Sequence, residues 1–141
     1  MEETGSKSLS IVLYNESDEA FEIFRKELIP YIIDVRGEKV KLDAGDYVHF
    51  MEHEYMLSRI RWIPETLRNP EEIRRDFHKY LPFREIYVNT VYCHEKDCPG
   101  SSHLIVVDRR QELKLWTSFI VRGDYLKRVK EGELLWKPEN S

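Results

Sequence analysis

Side-chain amides are nearly missing from this chain: Gln111 is the single glutamine, and there are four asparagines in 141 residues. Amides degrade on heating while ion-pair networks hold up, so their scarcity beside 34% charged residues suggests a heat-adapted source. Long apolar runs are missing too. No stretch approaches the roughly 20 residues that a membrane-spanning helix needs, and the opening MEETGSKSLS lacks the basic and then apolar character of a signal peptide. The expectation is a cytoplasmic protein with no membrane partner. There is no internal repeat and no low-complexity tract. What remains, at 41% hydrophobic, is read as one domain of residues 1–141, large enough to form a core without staples.

A net charge of −4 argues against strong nonspecific nucleic-acid binding, because phosphate contacts need clustered cations. The charge is uneven, however. Residues 1–56 carry six Lys and Arg against 13 Asp and Glu, and residues 57–141 carry 16 against 13. The second half can therefore present a basic surface, although surface variation alone produces such asymmetry.

Residue periodicity gives the expected elements. Ser8 to Tyr14 reads as a strand, and Asp18 to Leu28 as a helix with Ala20, Phe21, Phe24 and Leu28 at helical spacing, stopped by Pro30. Tyr31 to Val35 and Glu38 to Leu42 form a hairpin about Arg36-Gly37. Asp46 then caps a central helix reaching Trp62. Asn69-Pro70-Glu71-Glu72 has the cap, proline and acids of a helix start, predicting a second helix to about Lys79. From Glu85 onward the period is that of strands: Glu85 to Cys93, His103 to Asp108 and Glu112 to Val121, the last two joined by a turn at Arg109-Arg110. A short helix from Asp124 to Lys130 and a fourth strand from Leu134 to Lys137 follow. The expected class is α+β, with N-terminal strands and helices packed on a C-terminal antiparallel sheet of three to four strands.

The most informative stretch is HFMEHEYMLSRIRWIPETLRNPEEI, His49 to Ile73. In a helix His49 and His53 share a face and Arg61 falls within reach of it, because helix neighbours lie three and four apart. Imidazoles with a free pKa near 6.5 suit proton transfer, and a guanidinium fork suits phosphate oxygens. The plainer alternative is a pair of partly buried polar residues on an amphipathic helix. A zinc-protease reading fails at Phe50, since the HExxH motif needs glutamate directly after its first histidine.

A hairpin ending in GEKVKL, then HFMEH, then ETLRNPEEI, then a late strand LKLWTSF, resembles the barnase, EndoU, colicin ribonuclease and RelE superfamily, in its phage-associated branch. The likeness covers Tyr31 to Phe119 and implies a BECR-like nuclease core of about residues 31–121, with Cys93 to His103 inserted between strands. It also implies a metal-independent endoribonuclease acting on RNA through 2′-hydroxyl attack to a 2′,3′-cyclic phosphate. Such an enzyme is toxin-like or phage-related and is held by a protein inhibitor or antitoxin. Carried over, the family's histidine falls on His49 or His53, its arginine on Arg59 or Arg61, and its late-strand hydroxyl on Thr117. His53 is the preferred acid/base and Arg61 the preferred cation, while Arg109, Arg110 and Thr66 are candidates for substrate contact, Thr66 reading equally as a turn residue. The alternative function is a catalytically inactive binding module of the same fold.

Cys93, His94, Cys98 and His103 form a second constellation. Their spacing admits a structural zinc, a local disulfide or free thiols, and catalysis requires no cofactor in the ribonuclease reading. Trp62, Trp116 and Trp136 either stack bases or pack; their patterns favour packing.

Overall fold

The computed structural model describes residues 17–51, 59–90 and 102–139. The expected strand at Ser8 to Tyr14 lies outside them, as do His53, Cys93, His94 and Cys98. The first helix, α1 (Ser17–Ile23), continues through a π-helical turn (Phe24–Leu28). Ala20, Phe24 and Leu28 recur every four residues and are buried together, as a core-facing stripe requires. The hairpin β1 (Tyr31–Ile33) and β2 (Lys39–Lys41) buries Ile32 and Val40 and exposes the residues flanking them, as alternation requires. Its turn is built by Asp34, whose Oδ1 accepts the amides of Arg36 and Glu38, and by Gly37 at φ 83°, a left-handed position that glycine adopts without strain.

The central helix does not reach Trp62 as expected. It is described as α2 (Ala44–Met51), residues 59–61 form a turn, and α3 (Trp62–Arg68) follows that turn. The expected second helix at residues 69–79 is not formed. Asn69 instead closes α3, its amide bonding Glu65 O, and Glu72–Arg75 is strand β3. The helix-start signals are local, and pairing overrides them. β3 fills the gap between β4 (Arg84–Thr90) and β7 (Leu134–Trp136), so both its backbone edges are hydrogen-bonded and β4 has no open edge there. Ile73 in β3 is fully buried, whereas Tyr80 beyond it is 80% exposed. Gly132 is needed where β7 approaches, since a Cβ there would lie 2.0 Å from the Arg75 carbonyl oxygen.

With β5 (Ser102–Asp108) and β6 (Lys114–Val121), the described strands make one seven-stranded sheet ordered β1-β2-β6-β5-β4-β3-β7. The α+β class holds. The three to four C-terminal strands do not stand alone, because the N-terminal hairpin joins the same sheet through a parallel contact, Lys41 against Lys114. One face packs on α1, α2 and α3 through Ile73, Tyr87, Ile105, Val107, Leu115 and Ile120. The opposite face, through Ile86, Val88, Leu104 and Val106, packs on α4 (Gly123–Val129). No helix among the described residues is long and apolar enough to cross a membrane.

Candidate functional site

A bulge in β6 positions the site. Val106 pairs with Thr117 and Val107 with Leu115, so Trp116 is an extra residue in the ladder. Beyond it the buried positions change parity, from Leu113 and Leu115 to Ser118 and Ile120. Thr117 is thereby sent to the face that carries Val106 and α4. There His49 Nε2 lies 3.2 Å from Thr117 Oγ1. Both side chains are half-buried, within reach of solvent.

The first turn of α2 supplies the adjoining charges. Asp46 accepts the Asp43 amide at 2.7 Å, and Lys114 Nζ stands 3.0 Å from Asp43 and 3.8 Å from Asp46. Burial pushes the Asp46 carboxyl up, against the opposing pull of the Asp43 amide, Lys114 and His49. Lys114 is raised above the usual amine range: burial works against its charge, but Asp43, Asp46 and Glu112 outweigh it. Lys114 also lines a cleft of about 300 Å³ with Asp108, Arg110, Gln111, Glu112 and Trp116. Trp116 is 46% exposed, and the Arg84 guanidinium lies 4.2 Å from its ring centroid. The Arg110 guanidinium lies 4.5 Å from the Phe83 ring centroid and 3.1 Å from Asp108.

Of the residues singled out in the sequence, His49 and Thr117 meet, and Arg110 stands on the neighbouring cleft. The others are placed elsewhere. Arg61 pairs with Glu27 at 2.9 Å. Arg59 is buried, its guanidinium 5.6 Å from the centre of the Trp62 ring. Arg109 joins an ion-pair clasp, bonding Glu85 at 2.7 Å and Glu38, while Arg36 ties Glu85 to Tyr87 and Asp34. That clasp fastens the N-terminal hairpin to β4.

Thr66 and His103 lie together inside the core. His103 Nδ1 is 2.7 Å from Thr66 Oγ1 and its Nε2 is 2.7 Å from Ser118 Oγ. Burial pushes this imidazole down to about 3, so it is neutral near pH 7, with one nitrogen donating and the other accepting. Both nitrogens are thus occupied by hydroxyls, which does not fit a zinc ligand. Among the described residues no group of three or more His, Cys, Asp or Glu is placed to hold a metal ion.

Sequence reading passed over Arg84 and Lys114, took Asp46 as a helix cap alone, and favoured packing over base stacking for Trp116. The one available signal was the change of parity in LKLWTSFI, which marks a bulge. No protein-family model matches the chain, and no curated protein or solved structure matches it.

Proposed function

We propose that this protein is a metal-independent endoribonuclease whose acid/base group is His49. The observation that carries the reading is the half-buried contact of His49 Nε2 with Thr117 Oγ1, 3.2 Å, beside a cleft lined by Arg110, Lys114 and Trp116. In the reaction a base takes the 2′-hydroxyl proton, the 2′-oxygen attacks phosphorus, and the 5′-oxygen leaves with a proton. The products are a 2′,3′-cyclic phosphate and a free 5′-hydroxyl. A histidine within reach of solvent suits the proton transfers. The Thr117 hydroxyl orients the phosphate, and cations on the cleft stabilise the charge that builds on it. The resemblance of the HFMEH, ETLRNPEEI and LKLWTSF segments to the barnase, EndoU, colicin and RelE superfamily supports the same reading. RNA is then the partner, and a protein inhibitor or antitoxin a second one.

One observation favours a second reading, an inactive binding module. Lys114 and Arg110 each face carboxylates, so the cations of the neighbouring cleft are matched by acids. A single experiment separates the two. Purified protein incubated with RNA in EDTA is expected to leave 2′,3′-cyclic phosphate ends, and His49→Ala to remove the activity while the protein stays folded. RNA left intact at high protein concentration, or cleavage that survives in His49→Ala, overturns the catalytic reading.

A further inference from the structure

The rim beside the proposed active site carries a repeated pairing whose aromatic rings the ribonuclease reading does not use. Three successive aromatic rings each have a cation over them: Trp116 with Arg84 at 4.2 Å, Phe83 with Arg110 at 4.5 Å, and Tyr80 with Lys79 at 5.5 Å. They are contiguous. Arg84 follows Phe83 in the chain, the Arg109 amide bonds the Phe83 carbonyl, and the turn bonds Leu81 N to His78 O and Arg84 N to Leu81 O bring Tyr80 to the same end of the sheet. Tyr80 is 80% exposed and Trp116 46%, so these two rings retain surface for another planar group.

We infer that this rim is a single-strand RNA path, and that the Trp116 indole is the platform on which an unpaired base stacks, next to the phosphate held at His49 and Thr117. Rings give every base a π-face to lie on, and interleaved cations follow the phosphates between them; that combination is what a strand without a partner strand requires. The bulge turns Trp116 toward the face that carries Thr117, so the platform and the proposed reacting centre are chain neighbours. Arg84 occupies part of the indole, and the cleft of about 300 Å³ in front of it has room for a base. Gln111 and Glu112, both exposed on the cleft wall, meet the edge of that base. A duplex is excluded from stacking because its bases already stack on one another.

Only the placement of the base beside a scissile phosphate rests on the ribonuclease reading; the binding path does not. The test therefore uses a strand that cannot be cut, a short fluorescein-labelled 2′-O-methyl RNA of mixed sequence, with anisotropy as the readout. Wild type is expected to bind the single strand more tightly than its duplex. Trp116→Ala should weaken binding by about ten- to a hundredfold, and Trp116→Phe, which keeps a ring, by less than about threefold. Binding by Trp116→Ala equal to wild type, or no binding of the strand by wild type, overturns the inference. So does dimerisation through this face, seen by light scattering and reversed by Trp116→Ala. Binding of the uncuttable strand without cleavage of ordinary RNA sinks the catalytic reading alone; cleavage with an unchanged KM in Trp116→Ala sinks the stacking platform alone.

Discussion

Two of the described histidines meet hydroxyl groups of neighbouring residues in one strand, and those neighbours face opposite ways. His103 is fully buried and held at both nitrogens by Thr66 and Ser118, 2.7 Å each. His49 is half-buried and meets Thr117 through one nitrogen at 3.2 Å. Thr117 and Ser118 are neighbours in β6, and a strand sends neighbours to opposite faces. The inner pair fills the core: desolvation keeps His103 neutral, and each of its nitrogens satisfies a hydroxyl that would otherwise be orphaned. The outer pair is half-buried, within reach of solvent. The side chains are of the same type, so the difference in role follows from how far each one is buried.

The sharpest test of that contrast is exchange of the outer imidazole. His49→Ala is expected to reduce RNA cleavage by about a hundredfold to ten-thousandfold, with folding stability shifted by less than about 0.5 kcal/mol in urea titration. A large stability loss with little change in cleavage would invert the assignment. The inner imidazole should behave in the opposite way. His103→Leu leaves the Thr66 and Ser118 hydroxyls buried without their partner, which costs on the order of 3 kcal/mol of stability. Cleavage per folded molecule should change little.

Acid gives a subtler comparison. The folded value of His103, about 3, lies below the ordinary 6.5, so between those limits the unfolded chain binds the extra proton. The stability linked to it is complete above about pH 6.5 and is lost as pH falls toward 3, at on the order of 1 kcal/mol per pH unit. Because His103→Leu removes this linkage, the stability gap between wild type and variant should narrow as pH is lowered, and urea midpoints at neutral and mildly acidic pH will show it. A gap that does not change would mean that His103 is not held neutral in the core. The smallest effect is expected at Arg61, whose exposed pairing with Glu27 contributes about 0.5 kcal/mol or less. Arg61→Ala should lower cleavage less than about threefold; a much larger loss would show that the guanidinium leaves Glu27 for the substrate.

Local pattern carried much of the fold. The stripe of Ala20, Phe24 and Leu28, the Arg36-Gly37 turn and the runs at Glu85, His103 and Glu112 all follow from short-range spacing, and the structure has a helix, a hairpin and strands at those places. It failed at Asn69-Pro70-Glu71-Glu72, where good helix-start chemistry lies in a segment whose backbone bonds go to β4 and β7, both distant in the chain. The meeting of His49 with Thr117 was partly legible, since the resemblance named both residues. Lys114, Arg84 and Trp116 were not, because their placement depends on one extra residue in a ladder and on which helix covers which face.

The order of residues by itself determined most of the secondary elements, though not the strand at Glu72–Arg75, and the presence of imidazole, hydroxyl and guanidinium groups. Tertiary structure decided which of them work together. Thr66, His103 and Ser118 are buried together, His49 and Thr117 meet half-buried, and Arg61 pairs with Glu27. The reason is geometric: helical and strand periods are set by bonds only a few residues long, whereas the side of the sheet on which a group emerges is set by pairing and packing between segments dozens of residues apart.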